Sequence, residues 1–228
     1  MYLPAHFTPS NEEVQAFLAK VGAADLVTMT DRGLLATMLP LLYEPPPAGD
    51  SGAGDGGAGN AHGSRGRLLG HLARANDQWR ETALGETLVI ARGPDAYVTP
   101  TWYATKREHG RVVPTWNYVT VHFYGRLVVH DDPAWVEDLV RRLTDHHERD
   151  HAHPWSVDDA PAAYIAGQLR AIVGVEIVVT RLEAKFKLSQ NRSAADVDGV
   201  VAGLEEGGAR AMAQAVDSAS RRSRPSRP

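Results

Sequence analysis

The chain has 228 residues, with 24 basic and 28 acidic side chains, 21 glycines, 14 prolines and no cysteine. That length supports one large domain or two small ones with a sizeable core, and the missing cysteine excludes disulfides, thiolate metal centres and a cysteine nucleophile, in keeping with a reducing, cytoplasmic setting. No apolar run approaches the length of a bilayer span, and Met1–Ser10 lacks the basic start and apolar stretch of a secretory signal.

Ser10-Asn11-Glu12-Glu13 is a capping box, and Val14, Phe17, Leu18 and Val21 follow at helical spacing before Gly22. A helix is predicted over about 11–21. Leu26–Thr30 and Leu34–Tyr43 read as two strands joined by an Asp31-Arg32-Gly33 turn, with Pro40 at a bulge or edge. Further strands are predicted at Arg67–Leu72, Thr87–Ala91, Ala96–Thr99 and Asn117–His130, with Gly93-Pro94-Asp95 turning between two of them. Asp132-Pro133 opens a helix whose apolar face is Trp135, Val136, Leu139, Val140 and Leu143. Another helix runs from about Asp158 or Asp159 to Arg170, and Ile172–Leu182 is the most apolar strand. Ser193 caps a last helix that ends at Gly207-Gly208. Six or seven strands at hairpin spacing with a few peripheral helices predict a β-barrel with helical additions, mainly β within the α+β class. Strands and helices do not alternate, which argues against a doubly wound sheet.

Two averages conceal local bias. Eight of the 21 glycines lie between Ala48 and Gly66, after Pro45-Pro46-Pro47. That composition predicts a flexible insertion, because it buries too little apolar surface to offset ordering. The last 11 residues hold four arginines and no acid, so the remainder carries a net charge of −8. Such a body is a poor polyanion binder, and any nucleic-acid contact falls to the tail.

Two short motifs are set aside. Gly54–Gly59 matches G-x-G-x-x-G but lacks the strand before and the helix after that would point amides at a pyrophosphate. His147-Glu148-Arg149-Asp150-His151 matches H-E-x-x-H, but His151 lies near Pro154 at a fraying helix end, and no third ligand is evident. No metal is expected.

Three other stretches combine the residue types a ligand needs. In Gly70–Trp79, His71, Arg74 and Asn76 supply donors where the chain leaves a strand, suited to a phosphate or to stitching a loop. Tyr97–Tyr103 and Val113–Tyr118 each contain Pro-Thr-Trp. They suit a flat heteroaromatic ligand, a barrel plug or a dimer contact. In Glu183–Ser193, Lys185, Lys187 and Arg192 supply charge, and Ser189, Gln190 and Asn191 supply directional hydrogen bonds. This is an anion site or a solvated connector.

The segments MYLPAHF, LLGHLARANDQW, YVTPTWY, VPTWNYVTVHFYGR, IVGVEI and KFKLSQNRS, in this order, resemble the PaiB-like family of FMN-binding negative transcriptional regulators. The resemblance runs from Met1 to about Leu204. It implies a split β-barrel of the flavin reductase and pyridoxamine-phosphate oxidase type over residues 1–206, with the Gly-rich insertion at 46–66. A helix remnant and a basic disordered tail follow over 207–228. It also implies a cytoplasmic homodimer with FMN between subunits. His71, Arg74 and Asn76 would then lie near the phosphate and ribityl chain, and Thr37 along the isoalloxazine. Trp116, Asn117, Lys187, Ser189, Gln190, Asn191 and Arg192 would complete the site, some from the partner.

The functional expectation is an FMN-binding regulator, although the sequence shows no helix-turn-helix pattern, zinc finger or basic folded face. The alternatives are an FMN-dependent NAD(P)H oxidoreductase, in which the flavin carries the chemistry, and an acidic scaffold without cofactor.

Overall fold

A computed structural model describes residues 1–46 and 65–223. Most of the expected Gly-rich insertion and the last five residues lie outside the described residues. Within them the α-helices are α1 (Asn11–Leu18), α2 (Thr105–His109), α3 (Pro133–Glu148), α4 (Ala162–Leu169), α5 (Ala194–Glu206) and α6 (Arg210–Ser223). The strands are β1 (Ala23–Thr30), β2 (Gly33–Glu44), β3 (Arg67–Ala73), β4 (Thr87–Val98), β5 (Thr115–His130) and β6 (Ile172–Lys187).

The strands close a barrel in the order β1-β2-β3-β6-β5-β4, the split-barrel class expected from the sequence. β1 pairs antiparallel with β2 and β4, and β3 with β2 and β6. The β1–β2 turn is a two-residue loop, with Thr30 opposite Gly33. Gly33 takes φ 107°, a backbone state costly for any other residue, and the Thr30 hydroxyl donates to the Gly33 carbonyl. Pro40 occupies the last β1–β2 pair, opposite Ala23, where its missing N–H costs least.

The chain divides into two compact units, and β4, β5 and β6 each contribute residues to both. The first comprises Met1–Phe17, Arg92–Val121 and Glu183–Pro228; the second comprises Leu18–Ala91 and His122–Leu182. In the second unit the barrel interior holds Leu26, Leu41, Val89, Phe123, Val175 and Ile177, all at 0–1% exposure. Alternation along β1 and β5 sets this, since every second side chain enters the core. In the first unit α5 and α6 bury Val200, Leu204, Met212 and Val216. Gly199 and Gly203, one helical turn apart, let Trp102 lie against α5. A Cβ at Gly203 would stand 2.3 Å from the indole, and one at Gly199 would stand 2.1 Å from the Trp102 carbonyl.

Several caps form as expected. The Ser10 amide donates to Glu13 Oε2 at 2.8 Å and the Glu13 amide to Ser10 Oγ at 3.2 Å. Asp132 and Ser193 cap α3 and α5.

Four sequence expectations need correction. Gly93-Pro94-Asp95 is no turn: β4 runs straight through it. Gly93 is there for close packing, since a Cβ would stand 2.9 Å from Val119 Cβ and 3.0 Å from the Phe17 ring. β6 does not stop at Leu182 but continues to Lys187, so Lys185 and Lys187 stand on a strand. The α4 helix starts at Ala162, after a short 3-10 turn at Val157–Asp159 and Pro161. The helix α6 extends through residues expected to form a basic tail.

Candidate functional site

The expected site residues fall into two groups, one in each unit. In the second unit, Thr37 on β2 sits directly opposite Leu26 on β1. Asn76 opens a short turn after β3, and its side chain accepts from the Gln78 amide at 2.9 Å. The Asn76 Nδ2 donates to Thr37 Oγ1 at 2.9 Å, and the Thr37 hydroxyl donates to Gln78 Oε1 at 2.6 Å. Gln78, 2% exposed, donates through Nε2 to the Leu26 carbonyl and to Thr28 Oγ1 at 3.2 and 3.1 Å. The structure therefore brings Thr37 and Asn76 together, through a buried residue that sequence reasoning passed over. Its signal was its position in Asn76-Asp77-Gln78-Trp79, just beyond the residues singled out.

Arg74, from the same stretch, is engaged elsewhere. Arg74 grips Asp131 with both terminal nitrogens, at 2.5 and 3.2 Å, and donates to the carbonyls of Arg170 and Ile172 at 2.8 and 3.1 Å. Hydrogen bonding to Asp131 raises the Arg74 pKa, and that same bond holds the Asp131 carboxyl below its usual range. The pair borders a pocket of about 550 Å³ between the first turn of α3 and the end of α4, lined by Val136, Ala166, Leu169 and Ile172. His71 is half-buried on β3 opposite Gly174, and burial pushes its imidazole below the ordinary range.

In the first unit, Asn117 is fully buried and donates from Nδ2 to Ser189 Oγ at 2.9 Å. Ser189 takes φ 64°, the one positive φ at a non-glycine residue among the described residues. Gln190 braces the same turn: its Oε1 accepts from the Leu188 amide at 2.7 Å and its Nε2 donates to the Phe186 carbonyl at 2.6 Å. Lys187 Nζ donates to Thr115 Oγ1. The Arg192 guanidinium lies over the Tyr103 ring at 4.5 Å, and Asn191 is exposed beside it in sequence.

Lys185 completes this group. It is 9% exposed, donates to the Tyr2 carbonyl at 3.0 Å, and sits 5.5 and 5.7 Å from the rings of Tyr2 and Tyr118. None of its described contacts is a carboxylate. Burial lowers the Lys187 pKa, and repulsion from Lys185 and Arg192 lowers it further. Three cations thus share a region, with the buried Asp196 near Tyr103 on the Arg192 side, and the charges that act on Lys187 are both positive, an arrangement that an anion would relieve. Nearby on β4 and β5, Tyr97 and Trp116 are half-exposed with ring centroids 6.1 Å apart, and Trp116 Nε1 donates to Asp95 Oδ1 at 2.8 Å.

The H-E-x-x-H match is broken by the fold. α3 ends at Glu148 and His151 lies in the turn beyond, so the two histidines do not share a helical face. Among the described residues no helix is long and apolar enough to cross a membrane.

Residues 1–181 match the family described as "Putative FMN-binding domain", a span that stops short of Lys185–Arg192. The chain is 32% identical over 207 residues to the Bacillus subtilis "Protease synthase and sporulation protein PAI 2", covering 90% of this chain and 89% of that protein. It is 35% identical over 169 residues to an uncharacterized Emericella nidulans protein, AN0679, covering 62% of this chain and 67% of that protein. Among solved structures, the conserved hypothetical protein Rv2991 of Mycobacterium tuberculosis superposes with a TM-score of 0.52 at 12% identity, over 85% of this chain and 94% of that one. That last likeness concerns the fold alone.

Proposed function

Because this chain belongs to the FMN-binding domain family, we propose that it holds FMN through the cations of β6 and the turn after it. The observation that carries the assignment is the trio Lys185, Lys187 and Arg192. A phosphate dianion suits it, since it would accept charge-assisted hydrogen bonds and restore the Lys187 pKa. Asn117, Ser189 and Gln190 shape the turn that carries these groups, and Asn191 adds a free amide. Trp116 with Tyr97 offers an exposed aromatic face to a flat ring. Thr37, Asn76 and His71 are the second unit's own candidates for ligand contact, while Arg74 works as a brace on Asp131. When bound, FMN would supply hydride and electron transfer, while the chain supplies binding and orientation.

The test is a visible absorption spectrum of the purified protein, followed by titration with FMN and with riboflavin, which lacks the phosphate. Lys187→Gln and Arg192→Gln are each expected to weaken FMN binding about tenfold and leave riboflavin binding unchanged. Protein that shows no flavin bands and takes up no FMN defeats the reading.

The protein acts as a homodimer in this reading. Met29 and Leu34, directly paired on the β1–β2 hairpin, and Met38 on the same outer face are 45%, 67% and 73% exposed. A second copy covering them would remove that apolar surface from water. Leu34→Lys with Met38→Lys should give a monomer by sedimentation.

Negative control of transcription is the finer reading, carried by the sequence resemblance to PaiB-like regulators, and we place it in the cytoplasm in keeping with a cysteine-free chain. α5 and α6 are joined by a short Gly-containing turn, and Arg210, Gln214, Ser218 and Arg221 occupy the solvent side of α6. Arg221 is paired with Asp217 at 2.9 Å, so contact with duplex DNA would fall to the arginine-rich end of the chain. Filter binding that finds no salt-sensitive affinity would sink direct action.

A further inference from the structure

We propose that Gln78 is a positioning residue that fixes the polarity of the Thr37–Asn76 pair, so that Asn76 presents a hydrogen-bond donor and selects an acceptor atom on the ligand. Two backbone groups that cannot change role anchor the network. The Leu26 carbonyl only accepts, and the end of the Gln78 side chain lies 3.2 Å from it; that end is therefore the NH₂ group. A second carbonyl, of Leu35, lies 3.4 Å from the same nitrogen and agrees. Gln78 Oε1 is then the atom facing Thr37, 2.6 Å away, so the Thr37 hydroxyl must donate to it. At the other end, the Gln78 backbone N–H only donates, and the Asn76 atom 2.9 Å away must be the oxygen. Asn76 Nδ2 therefore faces Thr37 and donates at 2.9 Å to the lone pair the hydroxyl has left.

Both amides are thus oriented by main chain, which leaves the Thr37 hydroxyl between them a single arrangement, and neither amide can flip without leaving a buried group unpaired. Gln78 has spent both amide hydrogens, on Leu26 and Thr28, and is 2% exposed. Asn76 has spent one and is only half-buried. Its second Nδ2 hydrogen has no partner among the described residues. The site consequently offers an N–H at this point, suited to a phosphate oxygen, a carbonyl or an unprotonated ring nitrogen, and it disfavours a ligand donor there.

The ligand's identity rests on the FMN reading, but the lock does not, and the experiment separates them. In the apo protein, side-chain amide exchange followed by NMR should show Gln78 Nε2 protected and Asn76 Nδ2 exchanging freely. Equal exchange at the two amides overturns the lock whether or not FMN binds. Adding FMN should protect Asn76. Asn76→Asp keeps the acceptor for the Gln78 amide but removes the outward donor. It should weaken FMN binding about tenfold with the fold intact by circular dichroism. Loss toward FMN alone assigns the acceptor to the phosphate, and loss toward riboflavin as well assigns it to the ring or ribityl chain. An Asn76→Asp protein that binds FMN as the parent does overturns the donor role. Gln78→Glu, which cannot donate to Leu26 or Thr28, should mimic the loss, and Thr28→Val, which leaves the Leu26 contact, should not.

Discussion

Asn117 on β5 and Ser189 after β6 are joined by a 2.9 Å hydrogen bond across 72 positions of sequence, and both are buried. Ser189 is held there in a left-handed backbone state that a serine does not choose by itself. The bond secures the turn between Lys187 and Arg192. Asn117→Ala should cost about 1–3 kcal/mol in a urea titration, because it strands the Ser189 hydroxyl and removes the support for its strained backbone. FMN affinity should fall with it. An unchanged denaturation midpoint would show that the turn stands without Asn117.

The contact between Trp102 and α5 admits a second prediction. A methyl at Gly203 would stand 2.3 Å from the indole, so Gly203→Ala must push the ring or the helix aside. The expected loss is about 1–3 kcal/mol in thermal unfolding. Trp102→Leu in the same chain should recover part of it, since the smaller side chain leaves room for the methyl. Full stability in the single variant would mean that α5 shifts freely.

His71 gives a pH dependence with a definite sign. Burial lowers its folded pKa below 6.5, so the folded state resists protonation more than the unfolded state does. Its stability contribution is therefore complete above pH 6.5 and declines as pH falls from there toward the folded pKa. His71→Gln should flatten that limb of a stability-against-pH curve measured by chemical denaturation. A parent protein equally stable on both sides of this window would contradict the assignment.

Arg74 separates bracing from ligand contact. Its guanidinium serves Asp131 and two carbonyls on the approach to β6, so Arg74→Met should lower the melting temperature and leave FMN affinity unchanged. Asp131→Asn should lower it less, because the two carbonyl contacts survive. A large loss of FMN affinity with an unchanged melting temperature would assign Arg74 to the ligand.

The parts of the molecule governed by local rules were legible in the sequence. The Ser10–Glu13 box, the Asp31-Arg32-Gly33 hairpin and the Asp132-Pro133 helix start all rest on contacts within a few residues. The misread parts depend on distant neighbours. Gly93 looks like a turn residue until Val119 and Phe17 are seen against it. Lys185 looks like a residue of a solvated connector until the carbonyl of Tyr2 is found on its ammonium. α6 was hidden because its buried face is mostly small, with Ala213 and Ala219 beside Met212 and Val216, and its end is rich in Arg and Ser. In the site, residue types marked Thr37 and Asn76, but Gln78 could be recognised only once β1, β2 and the following turn were in place.

The β2–β3 ladder closes between Glu44 and Arg67, whose side chains also form an ion pair at 2.5 Å. The strands are thus registered at this end by their own bonds. Because closure cost grows by only about 0.6 kcal/mol for each doubling of loop length, this junction is a natural splice point. An affinity handle or fluorescent reporter introduced between Pro46 and Arg65 would leave both termini untouched, so the molecule can be immobilised or labelled there for the binding measurements above.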